Sequence, residues 1–260
     1  MIKLRYSYKT KITFSENVYG HSFMLRCTPK PNDFQEIIDT TCKIIPSIEI
    51  TTGLDNFGNI IQIGHIGDWH STFEFISEGI VLLKTYQIRE GLNRIFLYPS
   101  KFTMTTPIIE ELFRSVVFPE NATALEKVLL LSDAIHRSFA YKAGVTTTQT
   151  TASDALALGC GVCQDFSHIL IALCRMAKIP ARYVTGFMQG EGFTHAWIEY
   201  YAYGEWFGFD PTHNRAIINE GYIKLAHGRD FDDCAVDKGV FKGLAQQKLD
   251  VFLKVDEIQQ

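Results

Sequence analysis

Residues 159–180 read Gly-Cys-Gly-Val-Cys-Gln-Asp-Phe-Ser-His-Ile-Leu-Ile-Ala-Leu-Cys-Arg-Met-Ala-Lys-Ile-Pro, and no other stretch limits the fold as tightly. From Cys163 onward, Phe166, Ile169 or Leu170, Leu173 and Met176 or Ala177 recur at helical spacing. The run is apolar on most sides, so the helix must be buried, and Pro180 stops it. Gly159 and Gly161 permit a sharp turn into its first residue. The chain must therefore supply elements that cover this helix, with whatever Cys163 does located at its N-terminus.

The surrounding pattern names those elements. Thr123-Ala-Leu-Glu126 is a capping box, followed at helical spacing by Val128, Leu131, Ala134 or Ile135, and Phe139. Residues 153–158 form a second, shorter helical run. After Pro180 come three strand-like runs, 182–187, 194–202 and 205–210, with Tyr203-Gly204 making the last two a hairpin. Leu249, Val251, Leu253 and Val255 predict a closing strand. The second half is thus α+β, helices first and then an antiparallel sheet.

The first hundred residues differ. Ile2, Leu4, Tyr6 and Tyr8 alternate with Lys3, Arg5, Ser7 and Lys9, the period of a half-buried strand. Further short runs at 22–27, 60–66, 71–76 and 80–86 predict a β-sandwich-like module. The segment from Pro99 to Pro107 marks the boundary, giving an N-terminal β-rich module over 1–105 and a core over 106–260. Lys3, Arg5, Lys9 and Lys11 read as a solvated strand face. The net charge of −4, without a dense basic block, excludes nucleic acid and acidic membrane as expected partners. The N-terminus lacks the apolar stretch of a secretory signal, and the longest apolar runs are too short to span a bilayer. With scattered cysteines, this predicts a cytoplasmic protein.

Cys160 and Cys163 admit three chemistries. Structural zinc needs four ligands, usually two close pairs, and no second pair exists. Cys174 lies about 16 Å along the helix from Cys163. His168 points about 140° away from Cys163 and is read as a packing or capping residue. A Cys-x-x-Cys redox pair has the right spacing but lacks the βαβ unit that usually precedes one. A nucleophile at a helix start gains from the unpaired N–H groups and the dipole there. Asp165 would oppose a thiolate if it pointed inward, and otherwise serves as a favourable first-turn acid. A thiol nucleophile needs a base, and the base needs an orienting partner. His195 opens one strand of the hairpin and Asp210 closes the next, so both lie at its open end and can meet. The redox reading keeps Cys160 as a possible resolving thiol.

This constellation resembles the transglutaminase-like superfamily, in particular bacterial members described as cysteine proteases. The resemblance rests on Gly161-Val-Cys163-Gln-Asp-Phe166, Ile179-Pro-Ala-Arg182-Tyr-Val-Thr-Gly186-Phe187, His195-Ala-Trp197-Ile-Glu199 and Trp206-Phe-Gly-Phe-Asp210-Pro-Thr212. Residues 228–231 and 239–243 are similar to the family's tail, and the N-terminal β region to the module that often precedes its core. The resemblance implies a papain-like core, with the nucleophile at a helix N-terminus packed on an antiparallel sheet. It implies Cys163 as nucleophile, His195 as general base and acid, and Asp210 as the orienting carboxylate. The Cys163 N–H would be one oxyanion donor and Gln149 is the candidate for a second. Trp197 and Trp206 are expected to pack the sheet, and Arg182 and Arg229 to form buried ion pairs. Neither calcium nor any cofactor is expected. The expected activity is that of a cysteine protease or amidase on peptide or amide bonds through a thioester. A protein-glutamine transamidase, or a non-catalytic binding protein on the same fold, is the alternative.

Overall fold

A computed structural model describes residues 1–258. The N-terminal strands are β1 (Ile2–Leu25), β2 (Gln35–Ile45), β3 (Ile50–Leu54), β4 (Ile60–Ile66), β5 (His70–Leu83) and β6 (Gln87–Ile88). Helices α1 (Pro107–Arg114) and α2 (Ala124–Ser138) follow, then β7 (Ala140–Tyr141), α3 (Ala152–Leu158), β8 (Cys160–Gly161) and α4 (Cys163–Met176). The core sheet uses β9 (Ala181–Met188), β10 (His195–Ala202), β11 (Glu205–Asp210), β12 (Arg215–Ile217) and β13 (Tyr222–Gly228). The chain closes with α5 (Phe231–Cys234), β14 (Asp237–Lys242) and β15 (Gln247–Glu257).

β1 is one strand of 24 residues, and it belongs to two layers. Its first half pairs with β5 on one side and β15 on the other; past an irregularity between Thr13 and Val18, its second half pairs with β4 and β14. A strand that changes layers in this way holds a sandwich-like module together. The runs at 71–76 and 80–86 are joined, because β5 continues through Gly79. That glycine marks a close approach of β2: a Cβ there would stand 2.3 Å from the Asp39 carbonyl oxygen.

The module boundary is crossed in both directions. β14 and β15, C-terminal to the core, complete the N-terminal layers, whereas β6 pairs with β11 of the core sheet. A division at residue 105 therefore separates strands that share hydrogen bonds. The physical cause is β1: in the sheet interior both of its edges need partners, and nearby chain supplies only one.

The core sheet runs β12-β11-β10-β9-β13. Alternation sorts its residues into two clusters. Ala196, Ile198, Tyr200 and Phe209 pack with α4, whereas Trp197, Trp206, Phe187 and Tyr222 pack with Tyr6 and Tyr8 of β1. The Tyr8 and Phe187 rings lie 4.9 Å apart. The sheet is thus a middle layer between helices and module. From Gln164 to Arg175 every residue of α4 is buried, as its pattern requires. Burying each large aliphatic side chain contributes roughly 1.5–3 kcal/mol, so this helix anchors the core. Both predicted helices before it carry capping boxes, on Thr123 and Thr151. Tyr203 and Gly204 have φ of 53° and 87°, the positive pair of a tight hairpin turn.

Candidate active site

Three short segments converge at the N-terminus of α4. Gly159, with φ of 68°, ends α3 in the left-handed conformation. Cys160 and Gly161 then pair in parallel with Ala140 and Tyr141. The Asp165 carboxylate turns back to the helix start, where it accepts the Val162 N–H at 2.8 Å and the Thr146 hydroxyl at 2.7 Å. That cap fills the space over Gly161, where a Cβ would stand 2.4 Å from an Asp165 oxygen. Burial pushes the Asp165 carboxyl up, against the pull of these donors. Cys163 is the first residue of the helix and is partly buried.

His195 and Asp210 come together from adjacent strands, both buried. His195 Nε2 lies 2.8 Å from Asp210 Oδ2, which leaves Nδ1 for Cys163. Burial pulls the imidazole down, but hydrogen bonds to Asp210 and then Cys163 outweigh it and raise His195 to about 10. Burial also works against the Asp210 charge; its hydrogen bonds to His195 and His213, the His195 charge and the Tyr222 hydroxyl hold the carboxyl well below its usual range. The three residues therefore form a connected acid–base run.

Two partners of Asp210 escaped the sequence reading. The Tyr222 hydroxyl donates to Oδ2 at 2.6 Å, and His213 Nδ1 lies 2.8 Å from the same oxygen. Oδ1 accepts the Thr212 and His213 amides at 2.9 and 3.2 Å. His213 directly follows Asp210-Pro-Thr, so it was within reach of motif reading. Tyr222 arrives on a strand that local patterning did not mark. The turn carrying His213 is pinned to α2, through His136 on the Pro211 carbonyl at 2.7 Å and Asn214 on Asp133 at 2.7 Å. Ligand atoms of His195, Asp210 and His213 all lie within 4.8 Å of one another, close enough for one divalent ion to bridge.

The remaining candidates separate. Gln149 is exposed and its side-chain oxygen accepts from Lys101 at 3.0 Å, a surface contact. His168 is buried, stacked on Phe102 with centroids 5.2 Å apart, and accepts the Phe231 N–H at 3.1 Å. Burial lowers it to about 3, so it packs as a neutral ring. Trp197 and Trp206 are fully buried. The Trp197 indole N–H donates to the Tyr86 hydroxyl, which donates to Glu199. Glu199 is paired with Arg182 and Lys224 in the interior. Arg229 differs from expectation: its pair with Asp233 at 2.8 Å is half-exposed, because α5 lies at the surface and offers the carboxylate four residues on. The six cysteines are all free thiols.

Comparison with known proteins places this geometry among relatives. Residues 112–211 match the model of the transglutaminase-like superfamily, and residues 4–82 match the bacterial transglutaminase-like N-terminal region. An uncharacterised protein of Mycobacterium leprae is 26% identical over 284 residues, covering 99% of this chain and 100% of its own. An uncharacterised protein of Mycobacterium tuberculosis is 26% identical over 277 residues, with 92% and 87% covered. Among solved structures, a candidate cysteine protease from Cytophaga hutchinsonii superposes with a TM-score of 0.79 at 27% identity, covering 100% of this chain and 92% of its own.

Proposed function

We propose, from the match of residues 112–211 to the transglutaminase-like superfamily model and of residues 4–82 to the bacterial transglutaminase-like N-terminal region, that the chain is a thiol-dependent acyl-transfer enzyme acting as a cysteine protease or amidase. The observation that carries this reading is the run Cys163–His195–Asp210, in which a buried carboxylate holds one imidazole nitrogen and leaves the other to a thiol at a helix start.

His195 takes the Cys163 proton, and the thiolate attacks the carbonyl carbon of an amide. The Cys163 N–H, at the start of α4, would donate to the developing oxyanion. Collapse breaks the C–N bond, His195 delivers its proton to the leaving amine, and the acyl group remains on sulfur as a thioester. Water, deprotonated by His195, then releases the acid and restores the thiol. Asp210 keeps the imidazole oriented and stabilises its charged form throughout. Hydrolysis is favoured over transamidation by likeness to the Cytophaga protein, described as a candidate cysteine protease; an amine in place of water would make the same thioester a transamidation intermediate.

The test is intact-protein mass spectrometry after mixing with activated acyl esters and peptide amides. A thioester adduct at Cys163, absent in Cys163→Ala and slow to form in His195→Ala, supports the proposal. Turnover that persists in Cys163→Ala defeats it.

A further inference from the structure

Two exposed aromatic rings lie on segments that lead into the site, and neither belongs to the chemistry above. Tyr141 is 60% exposed and Phe193 is 66% exposed. Tyr141 is not on a loose loop. Its strand pairs with Gly161, two residues before Cys163, and the next N–H, of Lys142, donates to the Gly161 carbonyl at 2.8 Å. The backbone that carries the ring is therefore fixed beside the segment that leads into Cys163. Phe193 stands two residues before His195. It belongs to residues 189–194, which join β9 to β10 and end at His195. The connection is tethered at its start, where Gln189 N–H donates to Gly221 and Glu191 N–H to Met188. Gly190 and Gly192 have open space where a Cβ would stand, so the loop can adjust around a guest.

The loop, Gln-Gly-Glu-Gly-Phe-Thr, contains one charge, Glu191. The charges of Cys163 and Glu191 both raise the Tyr141 phenol, after burial, so ring, thiol and carboxylate share one neighbourhood. The only other charge flanking Tyr141 in sequence is Lys142, and strand alternation sends it to the opposite side. An apolar guest beside Tyr141 and Glu191 would strip water from the carboxylate without giving it a partner. A cationic guest supplies that partner and is attracted by the ring faces as well.

We propose that Tyr141, Glu191 and Phe193 form the substrate-recognition subsite beside Cys163, and that it receives an ammonium or guanidinium side chain adjacent to the acyl group being transferred. The substrate class is then a peptide or amide carrying Lys, Arg or a similar cation next to the scissile bond. This rests on Cys163 being the nucleophile.

The test uses two bromoacetamide labels of equal length, bromoacetyl-agmatine and bromoacetyl-heptylamine. In each, the Cys163 thiolate forms a C–S bond as bromide leaves. In the wild-type protein at low salt, the cationic label should modify Cys163 about tenfold faster, the scale of one surface carboxylate acting together with ring faces. Glu191→Gln should reduce that ratio to about threefold, as should 1 M salt. Tyr141→Phe should keep it and Tyr141→Ala should lower it. Equal rates for the two labels, or a ratio indifferent to Glu191→Gln, overturn the subsite. The neutral label tests the nucleophile separately. If its rate at Cys163 does not fall in His195→Ala, the acyl-transfer reading fails, while the ratio between labels still decides the subsite.

Discussion

Replacing Asp210 by Asn keeps size and shape but removes one acceptor oxygen and the charge. Five donors converge on the carboxylate: His195, His213 and Tyr222 on Oδ2, and two backbone amides on Oδ1. An amide offers a single oxygen. If that oxygen takes the Oδ2 position, its NH₂ faces the Thr212 and His213 N–H groups; in the other orientation it faces three side-chain donors. The milder choice leaves two part-buried donors unpaired, at about 1–3 kcal/mol each. Asp210→Asn should therefore lose about 2–6 kcal/mol of stability in urea unfolding at pH 7. It should also slow Cys163 alkylation by iodoacetamide at pH 6 at least tenfold, because the imidazolium loses its main support. The pH dependence gives a second check. His195 is raised from 6.5 to about 10, so its stabilisation is fully present below pH 6.5 and disappears as pH rises towards 10. At about 1.36 kcal/mol per pH unit, that slope amounts to a few kcal/mol in the wild type. It should flatten in Asp210→Asn. A variant with wild-type stability, alkylation rate and pH slope would refute the reasoning.

Three other outcomes follow from the same contacts. Tyr222→Phe removes the 2.6 Å donor to Asp210 and should cost about 1.5–3 kcal/mol in chemical denaturation, the range for a bond to a charged group; an unchanged unfolding midpoint would contradict this. Gly161→Ala forces a Cβ against Asp165, displaces the α4 cap and should lower stability by about 1–3 kcal/mol, measurable as a drop in Tm, with slower Cys163 alkylation. Glu199→Gln leaves the buried Arg182 and Lys224 without their shared carboxylate and should destabilise by about 3–5 kcal/mol, read from urea unfolding.

Much of the core was legible because its signals are local. The apolar periodicity after Cys163, the Pro180 stop, the Thr123 capping box and the Tyr203-Gly204 turn each act within a few residues, and each recurs in the structure. The hairpin alone implied that His195 and Asp210 share an end, since its strand lengths and turn position dictate it. β2 was missed because it is an edge strand, where most side chains face solvent and alternation is weak. Gly79 gave the appearance of a break, since a glycine required by a neighbour's backbone looks the same in sequence as one required by a turn.

What the sequence by itself determined, then, is the buried helix opening on Cys163 and the hairpin that carries a histidine and an aspartate to one end. Tertiary structure decided the rest: that β15, more than 200 residues away in the chain, covers one edge of β1; that Tyr222 completes the shell around Asp210; and that Gln149 stays at the surface with Lys101. The division has a physical reason. Periodicity and turn chemistry act over a few residues, whereas strand partners and buried acceptors are chosen by whichever distant segment satisfies an open backbone edge or an unpaired charge.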